Sequence, residues 1–180
     1  NYRIVEKIKK SGCAGVQLAI ESGNQKVLDT IVKKDTILEK VIEIVGYCAE
    51  LKINMCAFYI MGFPGETMSD MRETVELAVR LFKDYKVVPI MLFATPLYGT
   101  ELYDVAVEHN MIDENISDED YLTATQYYGE PLIATKEFSA EDLKSLAREF
   151  EARINEHSGS NSLRQILNDK QSFFEEMQSS

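Results

Sequence analysis

The chain has 180 residues and 45% hydrophobic content, enough for one domain with a sizeable core. Its formal net charge of −11 repels phosphate backbones and anionic lipid, which argues against nucleic acid or a membrane surface as the main partner. No apolar run reaches the ~20 residues of a membrane span, no secretory signal is evident, and Cys13, Cys48 and Cys56 stand at long, irregular gaps. These features fit a cytoplasmic protein and exclude a cysteine metal site by spacing.

In chain order, "YRIVEKIKKSG" (2–12) predicts a helix with Ile4, Ile8 and Val5 facing inward. It leads into the first predicted strand, "GVQLAI" (15–20), and so reads as the second half of a βαβ unit whose own strand is absent. A short helix is expected near Asn24–Val32. "DTILEKVIEIVGYCAELK" then predicts a longer one, with Thr36 and Glu39 as a capping box and Ile37, Val41, Ile44, Val45 and Cys48 as its apolar stripe. The second strand is "INMCAFYIM" (53–61), followed by a helix whose inner face carries Met71, Val75, Ala78, Val79 and Phe82. The third strand is "VVPIMLFA" (87–94).

Strand and helix alternating at this spacing predict a parallel sheet with right-handed crossovers. Pro89 cannot donate to a ladder, so the third strand belongs at an edge or is bulged there. Three strands cannot close a barrel. The expected fold class is therefore α/β: a partial (βα) TIM-type barrel fragment with one natural and one artificial edge, followed by C-terminal helices. The chain also opens without Met, as a fragment would.

From Glu101 the character changes. "ELYDVAVEHN" predicts a helix ending near His109 and Asn110. The acidic, aromatic-rich stretch "DENISDEDYLTATQYYGEPLIATKEF" reads as mostly loop, with "DEDY" as a solvated acidic loop and Tyr127 and Tyr128 as packing residues, the alternative being the lining of a substrate pocket under the sheet. Ser139 and Asp142 start another helix, with Phe138 and Leu143 as a hydrophobic staple and Leu143, Leu146, Ala147, Phe150 and Ile154 as its stripe. "EHSGSNS" breaks it, and a last helix carries Leu163, Ile166, Leu167 and Phe174. The division expected is 1–110 for the half-barrel and 111–180 for an acidic loop and helical extension.

The function-bearing stretch is "YIMGFPGET" (59–67), where an apolar strand ends in two glycines around a proline. Ligands of parallel sheets bind at the carboxyl ends of strands. Gly62 would let a flat ligand approach the backbone, Pro64 fixes a turn dihedral, and Gly65 can take a positive φ. Glu66 and Thr67 fall at a helix N-terminus, where they serve equally as the parts of a tight strand-to-helix turn. There is no GK[ST], so this is not a P-loop. The first strand ends in "IESGNQKVL", which puts Glu21 and Ser22 at the same rim, and the third ends in "ATPLYGT", which puts Pro96 and Gly99 there. His109 and His157 lie beside no candidate nucleophile, so neither is assigned a catalytic role.

Taken together, "VQLAIESGNQKVL", "AFYIMGFPGET" and "ATPLYGTELYDVA", in that order and spacing, resemble the radical S-adenosylmethionine (SAM) superfamily over roughly residues 2–110. The likeness is greatest to enzymes with an N-terminal cobalamin-type domain. The resemblance implies the fourth to sixth strands of a partial (β/α)6 barrel. Ile60, Gly62 and Glu66 match the family's strand-five glycine-x-isoleucine-x-glycine-x-x-glutamate motif, with Phe58 departing from its first glycine. It further implies that Glu21 meets the ribose of SAM, assisted by Ser22, and that Lys33 meets the methionyl carboxylate. For Lys33 the ordinary reading is favourable charge at a helix C-terminus. Ile60 and the Gly62 backbone would border the adenine, residues 94–96 including Pro96 would close that pocket, and Glu66 would support the turn.

The family's Cys-x3-Cys-x2-Cys cluster loop is absent from this sequence. The resemblance therefore implies a [4Fe–4S] cluster, and where used a cobalamin, held outside these residues, and a chain inert by itself. The expected partners are the missing half of the barrel, or self-association in its absence, and a small-molecule or peptide substrate that the sequence does not name. Two other readings stand beside this one. The first is a non-catalytic, degenerate half-barrel for binding or assembly. The second is another (β/α) barrel enzyme such as an aldolase-type lyase, which the lack of a lysine inside the three strands disfavours.

Overall fold

A computed structural model describes residues 1–113, 116–125 and 129–169. Helix α1 (Tyr2–Lys10) leads to β1 (Gly15–Glu21), then α2 (Gln25–Val27), which runs on as a π-helical turn over Leu28–Val32. Next come α3 (Leu38–Glu50), β2 (Asn54–Met61), α4 (Met68–Tyr85) and β3 (Val88–Phe93). Helices α5 (Glu101–Glu108), α6 (Asp118–Ala124) and α7 (Ala140–Asn155) follow, with a further helical stretch over 163–169.

The three strands form one open sheet in the order β1-β2-β3, all parallel, with β2 central. Pro89 lies opposite Ala57 on the edge strand β3, where its missing N–H need serve only one neighbour. The fold expected from the sequence is thus the fold observed: parallel strands, unclosed, with helices between them.

Successive strand residues face opposite sides, and the two sides differ. Ile20, Met55, Ala57, Tyr59, Met61, Met91 and Phe93 join one apolar cluster with Val5 of α1, Val45 and Cys48 of α3, Met71, Val75 and Ala78 of α4, and Leu143, Leu146, Phe150 and Ile154 of α7. The helices therefore cover one face. On the other face Phe58, Ile60, Ile90 and Leu92 are half-buried, and Gln17 and Ala19 are exposed.

Several local expectations change. In α1 the buried residue is Val5; Ile4 is 59% exposed, one helical step off the packed side. Helix α3 starts at Leu38, without a Thr36/Glu39 capping box, and Ile37 is an exposed N-cap. The reason lies thirteen residues upstream: Gln25 Oε1 accepts the Leu38 N–H at 3.0 Å, and its Nε2 donates to the Thr36 carbonyl at 2.8 Å. One amide side chain thus does the work assigned to the local cap. "DEDY" is the first turn of α6, whose Ser117 and Asp120 form a capping box; Tyr121 is buried there. Tyr127, Tyr128 and Phe174 lie outside the described residues.

Candidate functional site

Because the strands are parallel neighbours, the tips carrying Glu21, Gly62 and Pro96 share one end of the sheet. The first tip is irregular. Pairing with β2 slips between Ala19 and Glu21, and Glu21 takes φ 69, a left-handed conformation that glycine prefers. Its carboxylate is braced: Lys34 Nζ donates to Glu21 Oε1 at 3.0 Å and to the Ala19 carbonyl at 2.6 Å. One ammonium therefore spans the slip in the ladder.

Lys33 also has a left-handed backbone, φ 55, as the C-cap of the π-helical turn. Its side chain pairs with Glu101 at 2.6 Å, linking the loop after β1 to the first residue of α5, and holds the Glu101 carboxyl below its usual range. Both side chains are largely exposed, so water and salt screen the pair and it adds little stability. Of the two adjacent lysines, Lys34 turns to the Glu21 tip and Lys33 turns away from it. The sequence reading singled out Lys33; "KK" presented both, and only the backbone conformation separates them.

The second tip is a tight turn. Gly62 and Gly65 have φ 88 and 94, and the Glu66 N–H donates to the Phe63 carbonyl at 3.0 Å. Glu66 is fully buried, and its Oε2 accepts the N–H groups of Gly62 and Phe63 at 2.9 and 2.8 Å. Burial pushes its carboxyl up to about 7, with the two backbone donors pulling the other way. Its Oε1 is buried without a hydrogen-bond partner among the described residues. Thr67 then caps α4 in a box with Asp70.

The side that Gly62 leaves open faces α7. A Cβ there would sit 2.9 Å from Leu143 Cδ1 and 3.7 Å from Phe138, so the space belongs to the start of α7 on the helix-covered side. The third tip is tied in by the Ala94 N–H, which donates to the Met61 carbonyl at 2.8 Å. Thr95 Oγ1 donates to the Ala124 carbonyl at 3.3 Å, and Pro96 is buried. Ile60 lies half-buried on the helix-free face, in register with Leu92.

Ser22 is placed differently from a ligand-contacting hydroxyl. It is fully buried, and its Oγ lies 3.1 Å from Thr74 Oγ1 inside α4, which makes it a partner of the helix rather than of the rim opening. Thr74, Gly23 and Lys34 escaped the sequence reading. An Asn-capped turn after "ESG" was the available signal for Gly23, and none pointed to Thr74.

Cys13, Cys48 and Cys56 form no disulfide. Cys13 follows α1, Cys48 is in the helix-side core, and Cys56 is on the opposite sheet face. Among the described residues no group of three His, Cys, Asp or Glu side chains could hold a metal ion. A [4Fe–4S] cluster therefore does not fit these residues. This end of the sheet carries the Glu21 carboxylate, paired with the Lys34 ammonium, and the half-buried side chain of Ile60. His109 stands apart on a 560 Å³ cleft between the β2–α4 turn and residues 134–137.

Residues 1–78 match the family model described as the radical SAM superfamily. The chain is 28% identical over 148 residues to an uncharacterized methyltransferase of Pyrococcus horikoshii, covering 82% of this chain and 30% of that protein. It is 27% identical over 117 residues to the cytidylyl-2-hydroxyethylphosphonate methyltransferase of Streptomyces wedmorensis, covering 61% of this chain and 21% of the other. A tRNA-2-methylthio-N(6)-dimethylallyladenosine synthase of Wolbachia pipientis is 37% identical over 68 residues, covering 37% of this chain and 15% of that one. The chain thus spans less than a third of the length of each of these relatives.

Proposed function

We propose that the chain is part of a methyl-transferring enzyme of the radical SAM superfamily, whose family model matches residues 1–78, and that its strand tips form the nucleoside side of a SAM site. The observation that carries this reading is Glu21. A non-glycine residue held at φ 69 at a strand tip, with its carboxylate braced by Lys34, is the kind of strained placement that clusters at ligand sites.

In this reading the Glu21 carboxylate accepts hydrogen bonds from the ribose hydroxyls, and Lys34 fixes its orientation. Ile60 and the Gly62 backbone border the adenine, with the turn at Pro96 beyond them. Lys33 reaches the methionyl carboxylate by exchanging Glu101 for it, since both ends of that pair are exposed. A [4Fe–4S] cluster would supply the electron for reductive cleavage of SAM, while these residues would bind and orient its nucleoside. The cluster would be held by residues outside these 180, because no Cys-x3-Cys-x2-Cys spacing occurs in them, and these residues alone would be inert. A cobalamin domain, if used, would also lie outside them. Methyl transfer is supported by the names of the Pyrococcus and Streptomyces relatives. The net charge of −11 favours a small molecule or peptide over nucleic acid as substrate.

The test is anaerobic reconstitution of the gene product carrying these residues with iron and sulfide, followed by reduction in the presence of SAM. The expected result is 5′-deoxyadenosine or methyl transfer that Glu21→Gln strongly reduces. A gene product that lacks a cysteine triad, or that leaves SAM intact, refutes the reading. A non-catalytic assembly module is favoured by one observation, the half-exposed apolar face of Phe58, Ile90 and Leu92. A stable oligomer on gel filtration that covers this face, with no cluster formed, would select it.

A further inference from the structure

The least expected polar feature of the fold is a seam between the first strand tip and α4. Ser22 and Thr74 are both fully buried, with their hydroxyl oxygens 3.1 Å apart. Thr74 Oγ1 accepts the Gly23 N–H at 2.9 Å, and Ser22 Oγ accepts the Asn24 N–H at 3.1 Å. The proton count sets the direction. Ser22 donates to Thr74, and Thr74 donates to the Asp70 carbonyl, 3.4 Å away. Every member then has a partner, as a buried polar group requires. Gly23 allows the approach: a Cβ there would lie 2.6 Å from the Glu73 carbonyl oxygen and 2.7 Å from Thr74 Cα.

The seam continues to the second tip through one carboxylate. Asp70 Oδ1 accepts from Asn24 Nδ2 at 3.1 Å, and its Oδ2 accepts from the Thr67 N–H and hydroxyl, both at 2.8 Å. Asn24 also donates to Glu73 Oε2 at 3.0 Å. Asn24 is two residues past Ser22, whose chain neighbour is Glu21. Thr67 follows Glu66, which holds the Gly62 and Phe63 amides. The two oxygens of Asp70 therefore reference both tips to one point on α4.

We infer that Thr74 and Asp70 are positioning residues: through this seam they hold the Glu21 tip and the Gly62–Glu66 turn at a set separation, and so fix how a nucleoside seats between them. The inference rests on the nucleoside-rim reading proposed above. An apolar Val–Ala pair would fill the same volume as Thr74 and Ser22 but would leave the Gly23 and Asn24 amides without partners. The choice of hydroxyls thus fixes geometry and not volume alone.

Two measurements on the intact gene product test it. The first is amide hydrogen exchange without SAM. Thr74→Val should raise exchange about tenfold both at residues 22–24 and at 62–67, whereas Thr74→Ser stays near wild type. A rise confined to 22–24, or equal disruption by Thr74→Ser, overturns the inference. Should Thr74→Val fail to fold, Asp70→Asn reads the same coupling, since an amide cannot accept from both Asn24 and Thr67; unchanged exchange at 62–67 in that variant is equally contrary. The second measurement is SAM affinity by equilibrium dialysis. Thr74→Val should bind about tenfold more weakly, while Ile154→Val, a core change in α7 that lowers the melting temperature, binds as wild type. Wild-type affinity in Thr74→Val overturns the inference. Failure of the wild-type protein to bind SAM removes the nucleoside reading instead, and the exchange result still decides whether the seam couples the tips.

Discussion

Glu66→Gln isolates the charge buried under the second strand tip. Glu66 is fully buried, its Oε2 holds the Gly62 and Phe63 amides, and its carboxyl is pushed up to about 7, chiefly by burial. In the unfolded chain it titrates near 4.5, the ordinary value for glutamate. Between these two values the folded state binds more protons than the unfolded one, so stability falls as pH rises through the window and levels off above it. The gap between 4.5 and about 7 corresponds to roughly 3 kcal/mol, most of it lost between pH 5 and 8. Glutamine keeps an acceptor for both amides and carries no charge at any of these pH values. Urea denaturation at several pH values, followed by circular dichroism, should therefore show wild type losing about 2–3 kcal/mol relative to Glu66→Gln as pH rises from 5 to 8. Carboxyls such as Glu76 and Asp142, held low by their partners, titrate alike in both proteins and cancel in the difference. Parallel stability profiles, or a wild type that gains on the variant with rising pH, would refute the reasoning.

Three further outcomes follow from the geometry. Gly23→Ala drives a Cβ into the backbone of α4 and should cost more than about 2 kcal/mol, whereas Gly46→Ala, with open space around it inside α3, should stabilise by about 0.5–1 kcal/mol; thermal unfolding of the pair checks the contrast. Gly62→Ala combines φ 88 with a 2.9 Å approach to Leu143 Cδ1 and should cost about 1–3 kcal/mol, part of which Leu143→Val recovers in a double-mutant cycle. Lys34→Met releases the Glu21 carboxylate from its brace and should weaken SAM binding more than Lys33→Met does, as compared by equilibrium dialysis.

The sheet was legible because its information is local. Long apolar runs marked the three strands, Pro89 marked the edge, and Thr67, Ser139 and the Phe138–Leu143 pair marked helix starts. The capping box of Ser117 and Asp120 was equally local, but the surrounding acidic composition masked it. What the chain did not disclose depends on partners far away in sequence. Gln25 caps α3 from outside it, Thr74 meets Ser22 across 52 residues, and Leu143 occupies the space that Gly62 leaves open. Lys33 and Lys34 are chemically equivalent neighbours, and the left-handed backbone at Lys33 decides which one faces Glu21. Of the candidate site, the rim was readable, while the direction of the Ser22 and Gly62 positions was not, because burial on the helix side is a tertiary fact.

A crystal structure of the reconstituted gene product with SAM tests the central claim most directly. The account predicts the ribose hydroxyls at about 2.6–3.2 Å from the Glu21 carboxylate and the adenine against Ile60 and the Gly62 backbone on the helix-free face. SAM seated elsewhere, with Glu21 still engaged only by Lys34, would contradict it.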